Sequence, residues 1–193
     1  MGTSMKFDVQ CRSQGVKWPD VDKVSPAPPD ISIGGNPINH PSVASSPAGV
    51  QVVTLSGYTA KDVQLNRYYC LRKERTWLDA WKDMWHEVTG DLKAYSRLGN
   101  ILVVATFGLD SNMPPTDEAI SQLRAAGAGD VLMKKWVERC DPGSRAGNPT
   151  SWVDHPRAYA LVGKFGSEPN DGTEATEADW ENPVKLHLSG SFS

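Results

Sequence analysis

Residues 99–110, Gly-Asn-Ile-Leu-Val-Val-Ala-Thr-Phe-Gly-Leu-Asp, hold the run on which the reading of this chain turns. Between Gly99 and Gly108 the side chains from Ile101 to Phe107 are apolar or β-branched, with no polar alternation. Such a run is too short for a helix and apolar on both faces, so it predicts a central strand covered from both sides. Pro114-Pro115-Thr116 then opens a helix, with Thr116 placed to cap it and Asp117 and Glu118 in the first turn, where the helix dipole favours carboxylates. Ala119, Ile120, Leu123 and Ala126 form its apolar face, and Gly127 is a natural stop. The stretch from Arg157 to Gly166 reads as a second buried strand ending in glycines. Ile101–Phe107 and Tyr159–Gly163 are therefore expected in one sheet, with residues 116–126 a helix packed on it.

Working outward, Val50–Leu55 and Val63–Leu71 read as strands joined at Ser56-Gly57. Thr76 begins a capping signature for a helix whose Trp77, Trp81, Trp85 and Val88 fall on one face, and Gly90-Asp91 is expected to break or bend it. Glu168–Glu181 reads as an acidic solvated loop, and Val184–Leu188 alternates as a closing strand. Met5–Val9 reads as an edge strand. From Gly15 to Ala48 proline is frequent and bulky apolar residues are few, so residues 1–48 are expected as an extended Pro-rich N-terminal arm. Its anchors would be Trp18, Ile31, Ile33, Ile38 and Val43, seated on residues 49–193 or on a neighbouring subunit. The fold class expected is α+β: a mixed or antiparallel sheet, or two packed sheets, flanked by two helices.

Composition bounds the function. A chain of 193 residues is one domain with room for a substantial core. A net charge of −3 argues against a general nucleic-acid binder. No apolar run approaches the roughly 20 residues of a membrane span, and Met1–Lys6 has no apolar core for a signal peptide. Cys11, Cys70 and Cys140 are odd in number and lack C-x-x-C spacing, so no disulfide framework is expected. There is no phosphate-binding loop, nucleophile elbow or zinc-protease motif, and His40, His86, His155 and His187 are scattered, so neither cofactor nor metal is expected. Asp154-His155 beside Cys140 or a serine is the kind of pair that a chain of this length supplies by chance. His86 and His187 read as packing or surface residues.

The tryptophans outside helical spacing carry binding potential. Trp136 and Trp152 lie in the segment Val131–Pro156, where exposure and a ligand contact are expected, whereas Trp77, Trp81 and Trp85 at helical spacing read as core. Asp110 ends one strand and Arg157 begins another, and on the residues alone they read as an ion pair that pins a loop.

Three ordered blocks, GNILVVATFGLD (99–110), TDEAISQLRAAGAG (116–129) and RAYALVGKFG (157–166), resemble the ILEI/PANDER-like domain family, with a likeness spanning Gly49 to Gly166. The chain departs from the family pattern at Ala125-Ala126-Gly127, where Leu-Gly is usual, and in the longer segment Val131–Pro156. The resemblance implies a non-enzymatic recognition module at an extracellular or particle (virion) surface, with carbohydrate, a glycoprotein or another protein subunit as partner. In the similar carbohydrate-binding stem domain of a glycosyltransferase an aspartate and an arginine at matching motif positions contact the sugar, which makes Asp110 and Arg157 the transferred ligand-binding residues. The rival readings are a structural subunit of a phage tail or surface appendage, held by the N-terminal arm, and an unrecognised hydrolase using His155.

Overall fold

A computed structural model describes residues 5–13, 28–41, 48–57, 62–110, 113–138, 156–178 and 184–192. Strand β6 (Ile101–Phe107) is buried along its whole length and sits at the centre. It pairs antiparallel with β4 (Gly49–Leu55) on one side and with β8 (Pro156–Lys164) on the other. β5 (Val63–Cys70) extends the layer beyond β4, and β9 (Thr173–Ala178) extends it beyond β8. A two-residue strand, β7 (Leu109–Asp110), pairs with the start of β8.

β1 (Met5–Ser13) belongs to a second layer, with β2 (Asp30–Ile33) and β10 (Val184–Phe192) antiparallel on either side of it. β3 (Asn36–Ile38) follows β2 as a hairpin. The two layers join into one ten-stranded sheet through a single parallel pair, Arg12 against Phe107. Every other strand pairing is antiparallel.

The period of two along each strand explains this arrangement. Leu102, Val104, Tyr159 and Leu161 project into one core, formed with helix α1 (Trp77–Tyr95) and helix α2 (Asp117–Arg124). Ile101, Val103, Ala105, Ala158, Ala160 and Val162 project the other way, onto Phe7, Val9, Cys11, Ile31, Ile33, Leu186 and Leu188 of the second layer. Antiparallel strands usually keep a wet face, but here helices cover one face and a sheet layer the other, which is why β6 and β8 show no polar alternation.

The β6–β8 pairing ends at Ala105 and Ala160. Beyond it the fully buried Thr106 hydroxyl takes over, accepting from the Tyr159 N–H at 2.8 Å and donating to the Tyr159 carbonyl at 3.3 Å. After Phe107 and Gly108, Leu109 and Asp110 pair as β7, and the chain then reaches α2. The Thr116 side chain caps α2, which buries Ala119, Ile120 and Leu123 as its spacing predicts. Gly127 has φ +95° and its backbone passes so close to Gly172 that a Cβ would lie 2.5 Å from the Gly172 nitrogen, so both conformation and space require glycine.

Three expectations change. Helix α1 runs unbroken through Gly90. A mid-helix glycine costs only about 1 kcal/mol, which the burial of Trp85, Val88 and Leu92 outweighs. Residues 173–178, expected in a solvated loop, form β9, with Glu174 and Thr176 used in hydrogen bonds described below. Within residues 1–48, Met5–Ser13 is an interior strand rather than an edge, and Ile31 and Ile33 are buried beside Val9 and Phe7 of β1 in the second layer. The sparse apolar residues of that region fall at strand period and so fill one face, which a count of prolines does not reveal. Trp18 and Val43 lie outside the described residues.

Deletion of residues 1–48 would strip β1 from β10 and bare the second core. The truncated chain is expected to lose its cooperative thermal transition in circular dichroism; a sharp transition near that of the full chain would show the remaining residues to be self-sufficient. Burial pushes the Cys11 thiol up to about 12, so Cys11 is expected to resist alkylation by iodoacetamide at mildly alkaline pH until the chain is denatured, as read by peptide mass.

Candidate functional site

Of the four residues singled out in the sequence, Arg157 and Trp136 meet in the interior. Arg157, at the start of β8, is only 5% exposed, and its Nη1 donates to Thr176 Oγ1 at 3.0 Å. Its guanidinium lies 5.9 Å from the centroid of the Trp136 ring, a cation–π distance. Trp136 itself, expected at the surface, is fully buried. It is carried on a π-helical turn (Met133–Val137) that continues the short helix α3 (Asp130–Leu132), and it meets Tyr159 at 5.5 Å and, edge-on, Trp85 at 6.5 Å. Asp110 lies on β7 with its backbone opposite Pro156, one register step from Arg157. Trp152 lies outside the described residues, as do Asp154, His155 and Cys140 of the hydrolase pairing. Arg157 and Trp136 are thus brought together, but in the interior.

Glu174 on β9 holds that interior assembly in place. Its Oε1 accepts from the N–H groups of Gly129 and Val131, each at 2.9 Å, and its Oε2 accepts from the Leu132 N–H at 3.3 Å and the Tyr159 hydroxyl at 2.8 Å. The Asp130 N–H donates to Asn170 Oδ1 at 2.7 Å. The free N–H groups at the head of α3 are therefore bound by side chains of the β8–β9 region. Burial and the Glu174 carboxylate both push the Tyr159 phenol well above its usual range, so it stays a donor.

A surface cleft borders α1. The helix's apolar stripe of Trp81, Met84, Trp85, Val88 and Leu92 is flanked by two polar edges. On one edge Asp83, Glu87 and Asp91 recur every four residues, and each is ion-paired: Asp83 with Arg75 (3.3 Å), Glu87 with Arg67 (3.2 Å) and Arg72, and Asp91 with Arg67 (2.9 Å). The Tyr69 hydroxyl also donates to Asp91 at 2.7 Å. This ladder ties α1 to β5 and to the turn that follows it.

On the other edge stand Lys82, His86 and Lys93, all exposed, and none of their side chains has an ion pair or hydrogen bond to another described residue. They line a cleft of about 760 Å³ between α1 and the start of α2. Asp117 and Glu118 line it from α2, with Thr116 and Pro115 beside them, and the buried Trp81 of α1 also borders it. The Trp81 indole N–H donates to the Pro114 carbonyl at 2.7 Å, which sets the head of α2 over this turn of α1. The cleft presents lysine and histidine side chains from one helix and carboxylate acceptors from the other.

A helical wheel of residues 77–95 places Lys82, His86 and Lys93 on one edge, so the row itself is readable from sequence. What faces the row is set by α2, which only the packing reveals. Among the described residues no group of three or more His, Cys, Asp and Glu side chains is arranged to hold a metal ion, and no helix is long and apolar enough to cross a membrane. No protein-family model matches the sequence, and no curated protein matches it at a significant level.

Replacing Arg157 by Ala removes a buried, hydrogen-bonded cation, for which a loss of about 2 kcal/mol is expected. For a domain of this size that corresponds to a melting-temperature drop of roughly 4–8 °C. Calorimetry giving an unchanged melting temperature would mean that Arg157 is not part of the structural core.

Proposed function

We propose that this chain is a non-enzymatic recognition module of the ILEI/PANDER-like kind, which binds carbohydrate at an extracellular or particle surface through the cleft between α1 and α2. The observation that carries the reading is the set of uncommitted donors and acceptors on the two walls, Lys82, His86 and Lys93 opposite Asp117 and Glu118. Sugars offer hydroxyls that both donate and accept, so a polar cleft with both kinds of partner suits them. Catalysis would ask for side chains committed to one another, such as a base oriented by a third group, and the cleft residues are not joined in that way. The order of the three sequence blocks as β6, α2 and β8 around one core supports the family reading. A structural subunit clasped by its N-terminal arm draws no support from residues 5–13 and 30–38, which pair within the chain's own sheet.

A glycan array probed with the full chain, followed by titration calorimetry on the strongest ligand, tests the reading. The double variant Asp117→Ala, Glu118→Ala is expected to weaken binding at least tenfold while the fold stays intact, because both side chains are exposed. Unchanged affinity in that variant would remove the cleft as the site, and silence across the array would remove carbohydrate as the ligand.

A further inference from the structure

We infer that the cleft takes an anionic glycan, with a carboxylate or sulfate group seated beside Gly90 between His86 and Lys93 and neutral hydroxyls turned toward Asp117 and Glu118. This rests on the cleft being the binding site proposed above.

The argument is the uneven distribution of charge along the groove. Trp81 is bonded to Pro114, so the acidic head of α2 lies over the Trp81–Lys82 turn of α1. Lys93 stands twelve residues further along α1 than Trp81, about 18 Å at 1.5 Å per residue. Lys93 therefore stands at the end of the basic row far from the Trp81 turn. A charge at the Trp81 turn is beyond the Debye length of about 8 Å at physiological salt from Lys93 and does little to cancel its field. Asp83, the third carboxylate on the lining, is already paired with Arg75.

The space at the cationic end fits the same reading. Gly90 lies between His86 and Lys93 on the cleft edge, and a Cβ there would meet nothing within 4 Å. A ligand group can thus approach the helix backbone while both side chains reach it from either side. The carboxylates of α2 accept hydroxyl donors but repel anions, so they orient the ligand.

Four variants and three probes separate the outcomes. The probes are a uronate-containing tetrasaccharide, the same tetrasaccharide with its carboxylates reduced to alcohols, and a sulfated tetrasaccharide. Titration calorimetry with the full chain is expected to give binding of one or both charged probes, at least tenfold tighter than the reduced probe and weakened by added salt; which charged probe binds identifies the anion. Lys93→Glu should abolish that preference, and Gly90→Leu should block the charged probe by filling the space while retaining the helix. Lys135→Glu and Lys185→Glu, on exposed sites away from the cleft, should change neither. Equal affinity for charged and reduced probes overturns this inference while leaving the cleft reading intact. Binding of the charged probes that survives both Lys93→Glu and Gly90→Leu also overturns it. If no glycan binds at all, on these probes or on the array, the carbohydrate reading falls with it.

Discussion

The structure depends on covering β6 from both sides. Each fully buried branched or aromatic side chain contributes about 1.5–3 kcal/mol, and β6 alternates such residues into two separate cores. Neither core can be omitted, because one register step along β6 or β8 passes from one to the other. The helices answer the first requirement, and the β1–β2–β3–β10 layer answers the second with strands drawn from the two ends of the described chain. This explains why residues as poor in bulky side chains as 5–13 and 30–38 are drawn into the sheet.

Polar groups at the limits of that core are used as fasteners. Thr106 replaces a lost rung of the ladder with its hydroxyl, and Glu174 gathers backbone N–H groups of the α3 head together with the Tyr159 hydroxyl. A carboxylate accepting several N–H bonds is worth more than neutral pairs, and leaving those donors bare would cost about 1–3 kcal/mol each. The consequence is that the π-helical turn is held down and Trp136 is pressed onto Tyr159 with Arg157 over its ring. Residues that looked like a binding surface in the sequence are consumed in closing the core.

α1 shows how one helix divides its labour. Its buried stripe supplies the core, its acidic edge is neutralised by arginines of β5 and the following turn, and its basic edge faces the cleft. Exposed ion pairs contribute little singly, about 0–1 kcal/mol, but the ladder fixes the rotation of α1 about its axis. With that rotation set, Lys82, His86 and Lys93 cannot turn away from α2. The same packing that commits one edge leaves the other available for a ligand.

The sequence by itself determined the local elements whose signals are local. The apolar run Ile101–Phe107, the capped helix after Pro115, the tryptophan stripe of α1 and the alternation at Val184–Leu188 were all legible, because strand and helix periods and capping side chains act within a few residues. Only the tertiary structure decided which elements meet. That β1 lies between β2 and β10, that Glu174 belongs to a strand tied to α3, and that Trp136 and Arg157 are interior rather than exposed all follow from contacts between segments far apart in the chain. The candidate cleft divides in the same way. The row of basic residues is a property of helical spacing, whereas its acidic facing wall exists because the Trp81–Pro114 hydrogen bond and the shared core set α2 against α1.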